Sequence, residues 1–311
     1  MKPITCLHAL SIVLAAQLSA VAGPKIGVLL KDRDLFWAEV EKGVIEAGKA
    51  ADAELSIKAP SVPKMVSLQL KLMSALELEQ MDALVIGPLG KAEDFREPIS
   101  RLIAKGVKIV ALEAPLPEGL ANTFCGYNQK AMAEAAAKLF ANHIQDGDEV
   151  SMLRSNAINS MSTREKAVLA AMKELRPKST VYFDVMSGIE KGDEYNQAVL
   201  LLERHPGVKA LITAASVESL TMIKALKEKK MAGKVLHFGF GTGLPAEVVE
   251  AIENGVTQVW IAQQPKMFGV RGVEAAVALV AGKPVPPVID VDYCVVTKEN
   301  LHDPKIQALR R

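Results

Sequence analysis

The sequence has few aromatic residues and almost no net charge. Aromatic residues make up 5% of the 311 positions, so each aromatic side chain near a candidate site carries weight. The 37 Lys and Arg residues against 36 Asp and Glu residues leave a formal net charge of +1. Such a chain gives no electrostatic reason to expect nucleic acid or an acidic membrane surface as a partner.

Catalytic and metal-binding motifs are also missing. None of the five histidines has metal-ligand spacing with another histidine or with a cysteine. The sequence contains no G-x-S-x-G elbow, no P-loop and no dinucleotide fingerprint. The glycine-rich segment 239–243 lacks the third spaced glycine of a nucleotide cradle. We therefore expect a binding protein, with no cofactor, no metal and no enzymatic activity.

The one long apolar run lies at the N-terminus. Lys2 is followed by the apolar segment 7–18 and by Ala20-Val21-Ala22, an A-x-A cleavage pattern. This pattern predicts a cleavable signal peptide over residues 1–22 and export to the periplasm. The alternative is an uncleaved anchor, although the run is short for a transmembrane helix.

Two cysteines follow the predicted signal, Cys125 and Cys294. In an oxidising compartment they could form a disulfide. The sequence does not place them within bonding distance, so both free thiols and a bridge remain open.

Short apolar segments alternate with amphipathic helical segments along the rest of the chain. This alternation predicts βαβ units and parallel sheets covered by helices. Strands are predicted at 26–30, 54–57, 83–86, 107–112, 123–125, 150–153, 181–185, 210–213, 235–240, 258–262 and 293–296. Helices are predicted at 36–51, 66–79, 95–105, 130–144, 164–175, 197–205, 217–229, 246–254 and 268–281. These elements are more than a single doubly wound sheet usually contains, so we expect two similar α/β lobes.

The segment 25–37, KIGVLLKDRDLFW, carries the first candidate site. A buried strand ends in a charged turn, which leads into Phe36 and Trp37 at the start of a helix. Open α/β sheets bind ligands at such strand ends, where paired aromatics could stack on a small molecule. The alternative is that Phe36 and Trp37 are core residues at the start of the helix.

Several segments, in order along the chain, resemble the ribose-type periplasmic binding proteins, whose domain also forms the core of lactose-repressor-like regulators. The resemblance rests on Phe36-Trp37 and on segments 81–88 (MDALVIGP), 106–113 (GVKIVALE), 205–211 (HPGVKAL), 239–240 (GF) and 261–265 (IAQQP). It extends from about residue 25 to residue 300.

The resemblance implies two Rossmann-like lobes with parallel sheets, joined by three hinge crossovers near Gly126, Gln263 and Asp290. The N-terminal lobe would comprise residues 23–126 plus 264–290, and the C-terminal lobe residues 127–263 plus 291–311. Proteins of this family bind a small polar ligand in the cleft and close around it.

Carried over residue by residue, the resemblance also implies a ligand site. The implied ligand-binding residues are Asp34, Phe36, Trp37, Glu113, Arg164, Ala215, Gly241 and Gln263. The three charged residues and Gln263 also have purely structural alternatives. Asp34 could cap the helix that follows it, Glu113 and Arg164 could be surface charges, and Gln263 could support the hinge backbone.

Four positions depart from the ribose-type pattern. Ala114 stands in place of an arginine, Ile189 of an aromatic residue, Ala215 of an asparagine and Gly241 of an aspartate. A buried hydroxyl without a partner costs roughly 1–3 kcal/mol, so the loss of these side chains argues against ribose itself.

The ligand and the partner therefore stay open. The chain is expected to be a monomer that captures a sugar or sugar-like ligand for the permease of an ABC importer. Alternatively, Asp34 and Glu113 beside Trp37, with Tyr127 or Trp260 nearby, could bind an amine through charge and cation–π attraction. That alternative matches a second resemblance, to the TorT-like periplasmic sensors of trimethylamine oxide, carried by segments 34–37 (DLFW) and 201–206 (LLERHP). The partner would then be a sensor kinase ectodomain.

Overall fold

The computed structural model describes residues 23–62, 65–154, 159–185 and 194–310. The predicted signal peptide, 1–22, and Ile189 lie outside the described residues. Among the residues that are described, none of the helices combines the length and the hydropathy that a membrane span requires.

The first sheet has six parallel strands in the order β11-β5-β4-β3-β1-β2. These are β1 (Lys25–Leu29), β2 (Glu54–Lys58), β3 (Ala83–Ile86), β4 (Lys108–Leu112), β5 (Thr123–Gly126) and β11 (Val288–Asp290). Its helices are α1 (Leu35–Ala50), α2 (Val66–Glu77), α3 (Arg96–Ala104) and α9 (Pro265–Val280), with a 3₁₀ turn at Ala92–Phe95.

The second sheet repeats this arrangement in the order β12-β10-β9-β8-β6-β7, with only β12 antiparallel. Its strands are β6 (Glu149–Arg154), β7 (Thr180–Val185), β8 (Val208–Thr213), β9 (Leu236–Thr242), β10 (Val259–Gln263) and β12 (Tyr293–Val296). The remaining helices are α4 (Gln129–His143), α5 (Asn159–Leu175), α6 (Glu194–Arg204), α7 (Ser216–Glu228), α8 (Ala246–Glu253) and α10 (Pro304–Gln307).

Helices cover both faces of each sheet, which explains why the strands are apolar throughout. In β1, Val28 packs in the core under α1 and α9, whereas its neighbour Leu29 packs in the core under α2 and α3. The second sheet is likewise enclosed between two buried clusters. The predicted fold class, two parallel α/β lobes, is therefore confirmed.

The chain passes between the two sheets three times, after β5, after β10 and after β11. The crossings are tied together by hydrogen bonds. The Gln264 backbone N–H donates to the buried Tyr127 hydroxyl at 2.8 Å, and the Gln264 side chain donates to the Asp292 carbonyl at 3.4 Å. Burial raises the pKa of the Tyr127 hydroxyl, which therefore stays protonated as an uncharged member of this network.

Each predicted strand agrees within a few residues with a strand of the structure, but the sequence patterns missed β11. Residues 284–287 contain three prolines, which favoured an extended crossover there. Residues 288–290 nevertheless pair in parallel with β5. Two cysteines lie in strands of different sheets, Cys125 in β5 and Cys294 in β12, and both are free thiols.

Candidate functional site

The strand order in each sheet reverses at one point, and polar side chains gather there. In the first sheet the reversal lies between β1 and β3, and in the second between β6 and β8. Ligands of open α/β sheets bind outside the carboxyl ends of the strands at such points. The predicted site residues Asp34, Glu113 and Ala215 all follow carboxyl ends of strands.

Asp34 caps helix α1. Its Oδ1 accepts a hydrogen bond from the Trp37 backbone N–H at 2.9 Å, and its side chain is exposed. An N-cap carboxylate of this kind satisfies one of the free N–H groups of the first helical turn. The capping alternative is therefore what the structure supports, and ligand contact by Asp34 remains a prediction.

The two aromatics that follow have different surroundings. Trp37 is 4% exposed, and its ring lies directly over Gly87, where a Cβ atom would come within 2.2 Å of a ring carbon. Phe36 is half-buried and contacts the rings of Trp37 and Phe268, with centroids 5.6 and 5.7 Å away. Trp37 thus packs as a core residue, whereas Phe36 keeps some accessible ring surface. Stacking of either on a ligand stays a prediction.

Glu113 forms an ion pair with Lys31, which the sequence analysis did not select. Glu113 follows β4 and Lys31 follows β1, so the pair crosses the end of β3 between them. The Lys31 Nζ also lies 5.8 Å from the Trp37 ring centroid. Because 82 positions separate the two charged residues, no local pattern in the sequence could have paired them.

Arg164 is the most deeply buried charge of the predicted site, at 4% exposed. One of its terminal nitrogens donates to the Ala214 carbonyl at 2.5 Å, just past β8, and its guanidinium lies 4.7 Å from the Phe240 ring centroid. Its Nε has no hydrogen-bond partner among the described residues. The surface-charge alternative is therefore not supported.

Burial lowers the pKa of Arg164 to about 10, because desolvation disfavours the charged form. The side chains of Tyr127, Glu113 and Glu218 act in the opposite direction. Arg164 therefore stays protonated at neutral pH. It also lies close enough to Glu113, of the first lobe, for the two charges to interact.

Glu218, in the first turn of α7, was missed by sequence reasoning. It is 3% exposed, and its Oε2 has no partner in the part of the chain that the structure describes. A glutamate near a helix N-terminus is normally read as a surface residue favoured by the helix dipole. Only the tertiary structure reveals that this one is buried.

Gly241 and Ala215 contribute no polar side chain. At Gly241 the neighbouring Trp260 ring leaves no room for one. A Cβ atom at Gly241 would come within 2.2 Å of the buried Trp260 ring, whose Nε1 donates to the Gly243 carbonyl at 2.8 Å. Ala215 occupies the N-cap position of α7 without a capping side chain. Ligand contact at either position would involve the backbone.

Gln263 ends β10 at the second crossing between the lobes and is half-buried. Its carbonyl accepts a hydrogen bond from the Gly243 N–H at 2.8 Å. This bond continues the pairing of β10 with β9 within the second sheet, and support of the hinge backbone by Gln263 stays a prediction. The predicted contact between the Gln263 side chain and a ligand remains a prediction.

The fold and the arrangement of polar groups at the strand ends define a two-lobed binding protein. Residues 26–284 match the model of the periplasmic binding protein domain, and the chain belongs to this family. The expectation of a binding protein rather than an enzyme is confirmed.

Individual relatives are distant. The chain is 23% identical to the ribose import binding protein RbsB of Bacillus subtilis over 270 residues, which cover 85% of this chain and 84% of the relative. It is 19% identical to the ABC transporter periplasmic-binding protein YphF of Escherichia coli, covering 74% and 71% of the two chains. A carbohydrate transporter solute-binding protein from Agrobacterium radiobacter, solved with D-arabinose, superposes with a TM-score of 0.80 at 22% identity, covering 93% of this chain and 99% of that chain.

Proposed function

We propose that this chain is a periplasmic solute-binding protein that captures a small, uncharged polar ligand, a sugar or sugar-like molecule, and delivers it to an ABC importer. The names of the relatives, a ribose import binding protein and a periplasmic ABC transporter component, support this class of ligand and partner. A bound sugar in a similar fold supports it as well.

Two of the buried polar atoms that have no hydrogen-bond partner among the described residues carry the proposal, Arg164 Nε and Glu218 Oε2. Leaving such an atom unsatisfied costs roughly 1–3 kcal/mol. One is a donor and the other an acceptor. A hydroxylated ligand, whose groups both donate and accept, would satisfy both.

The same geometry weakens the amine alternative. The amine alternative relied on Asp34 and Glu113 as its carboxylates, but Asp34 caps α1 and Glu113 is already paired with Lys31. The Trp37 face that could attract a cation already has the Lys31 ammonium near it.

A thermal-shift screen tests the proposal. The panel would contain D-ribose, D-arabinose, D-galactose, D-fucose and D-tagatose, with trimethylamine oxide as the competing probe. A ligand at a hundredfold excess over its Kd stabilises the native state by about 2.7 kcal/mol, which should raise Tm by about 5 °C. A shift with trimethylamine oxide and none with any sugar would overturn the proposal in favour of a periplasmic sensor.

Arg164→Ala should then weaken binding of the active sugar at least tenfold, because the ligand loses a buried charged donor. The matched control is Arg271→Ala, which removes an exposed arginine paired with Glu274. Titration calorimetry measures both. An affinity for Arg164→Ala within twofold of the wild-type value would remove Arg164 from the site.

A further inference from the structure

The Tyr127 hydroxyl takes part in a hydrogen bond that joins the two lobes. It accepts this bond from the Gln264 backbone N–H at 2.8 Å. Tyr127 lies between β5 and α4, and its ring packs in the core of the first sheet. The N–H that it binds belongs to the peptide group shared with Gln263, the last residue of β10 in the second sheet. We call this contact the hinge bond.

The position of Gln264 makes the hinge bond sensitive to rotation of the lobes. Gln264 is the single residue between the end of β10 at Gln263 and the start of α9 at Pro265. Because α9 packs on the first sheet, the φ and ψ angles of Gln264 take up a change of lobe angle at this crossing. The Gln264 N–H precedes these two angles and turns with β10, whereas the Tyr127 hydroxyl stays with the first sheet. Opening at this crossing therefore stretches or breaks the hinge bond.

Two other hydrogen bonds at the crossings differ from the hinge bond. The Val291 N–H donates to the Gly126 carbonyl at 2.9 Å, which continues the pairing of β11 with β5 inside the first sheet. The Gln264 side chain donates to the Asp292 carbonyl, but at 3.4 Å and at an exposed position. The hinge bond is shorter, and its acceptor is carried by a buried ring.

Packing holds the Tyr127 ring in place. The residue is 5% exposed, and its ring meets the Phe268 ring of α9 edge to face, with centroids 4.7 Å apart. Phe268 also contacts the ring of Phe36, a residue of the candidate site, at 5.7 Å. Phenylalanine at position 127 would preserve these ring contacts. Tyr127→Phe therefore removes the hinge bond and keeps the packing around it.

The lobe arrangement that contains the hinge bond brings charges of the two lobes together. Arg164 is carried by α5 of the second lobe, and Glu113 follows β4 of the first. The two lie close enough to act on each other electrostatically, and both act on the Tyr127 hydroxyl. This is the arrangement in which side chains of both lobes can contact one ligand.

We propose that Tyr127 is a positioning residue that stabilises the closed arrangement of the lobes through the hinge bond and thereby slows ligand release. A ligand held between two lobes leaves when the lobes separate, and separation breaks the hinge bond. Tyr127 acts through the Gln264 N–H and needs no contact with the ligand. The proposal goes beyond the proposed function, because it concerns the balance between lobe arrangements whatever the ligand is.

Distances between the lobes test the proposal in the ligand-free protein. Spin labels at Lys91→Cys and Glu247→Cys would lie on opposite lobes, at exposed positions past the carboxyl ends of β3 and β9. The native thiols of Cys125 and Cys294 are buried, which directs labelling to the introduced cysteines. Tyr127→Phe should raise the ratio of long to short distances at least threefold, because the closed arrangement loses a hydrogen bond. An unchanged or lower ratio would overturn the proposal.

Ligand dissociation measures the effect of the hinge bond on release. The probe is D-ribose, D-arabinose or D-galactose, whichever stabilises the wild type in the thermal-shift screen. In stopped-flow measurements Tyr127→Phe should release it at least threefold faster. The matched control, Tyr195→Phe, removes a hydroxyl of α6 that bonds Glu228 within the second lobe, and should leave the distance ratio and the release rate at their wild-type values. A Tyr127→Phe variant that is less stable in urea, with both readouts unchanged, would show a purely structural role and overturn the proposal.

Failure of this inference and failure of the proposed function give different results. If the wild type binds no sugar, the sugar-binding function is wrong, and the distance ratio in the ligand-free variant still decides the inference. If the wild type binds a sugar and Tyr127→Phe matches it in distances and release, the function stands and the inference falls. A shifted distance ratio without faster release would also overturn the inference, because the hinge bond would then not limit release.

Discussion

His237 provides a quantitative test of the second lobe through its response to acid. The residue lies within β9 and is fully buried. Its Nε2 lies 2.9 Å from the Thr213 hydroxyl, and its Nδ1 lies 2.9 Å from the Thr257 hydroxyl. One ring nitrogen donates and the other accepts, so the neutral imidazole is satisfied on both sides. Burial lowers the pKa of His237 to about 3 from an ordinary value near 6.5.

The direction of the pH effect on stability depends on whether the folded or the unfolded chain protonates His237 more readily. Between pH 6.5 and pH 3 the unfolded chain protonates this histidine, whereas the folded chain keeps it neutral. The free energy of unfolding therefore falls as the pH is lowered through this window. Each pH unit well below 6.5 costs about 1.4 kcal/mol, so His237 should lower stability by about 2 kcal/mol between pH 7 and pH 5.

Urea unfolding of the wild type and of His237→Gln at pH 7 and pH 5 measures this contribution. The variant should be less stable at pH 7 because it disturbs the two threonine contacts. Its further loss at pH 5 should be smaller than that of the wild type by about 2 kcal/mol. His302→Gln, at an exposed position, should lose as much as the wild type. Equal losses in wild type and His237→Gln, within about 0.5 kcal/mol, would refute the reasoning.

Four further predictions concern core packing, helix capping and the two cysteines. Gly241→Ala should lower the free energy of unfolding by about 1–3 kcal/mol, because its Cβ would come within 2.2 Å of the Trp260 ring; an unchanged urea midpoint would show that the ring can move aside. Asp34→Ala should cost about 1 kcal/mol in the same assay through loss of the helix cap, whereas Asp34→Asn, which keeps a capping oxygen, should cost little. Alkylation of the protein unfolded without reductant should label both Cys125 and Cys294, since both are free thiols; a mass lacking both labels would reveal a disulfide. In the folded protein, Cys125 should resist alkylation at pH 8, because burial raises its pKa to about 12.

Local patterns were enough for the fold. Strands such as β3 (ALVI) are buried on both faces, so they read as continuous apolar segments whatever their partners are. The start of helix α1 is predictable from the sequence, because a capping aspartate precedes apolar residues at helical spacing. By contrast, β11 has only three residues and follows a proline-rich segment. It is recognisable as a strand from its parallel pairing with β5, which the local sequence does not show.

The candidate site depended far more on tertiary structure. The sequence and its family resemblance by themselves determined two parallel α/β lobes and placed the candidate residues at strand ends, because strand periodicity and chain order are local properties. Only the tertiary structure paired Lys31 with Glu113, buried Glu218 near Arg164 and filled the space at Gly241 with Trp260. Charge pairing and burial depend on residues far apart in the chain, which become neighbours only when the strands align in their sheets.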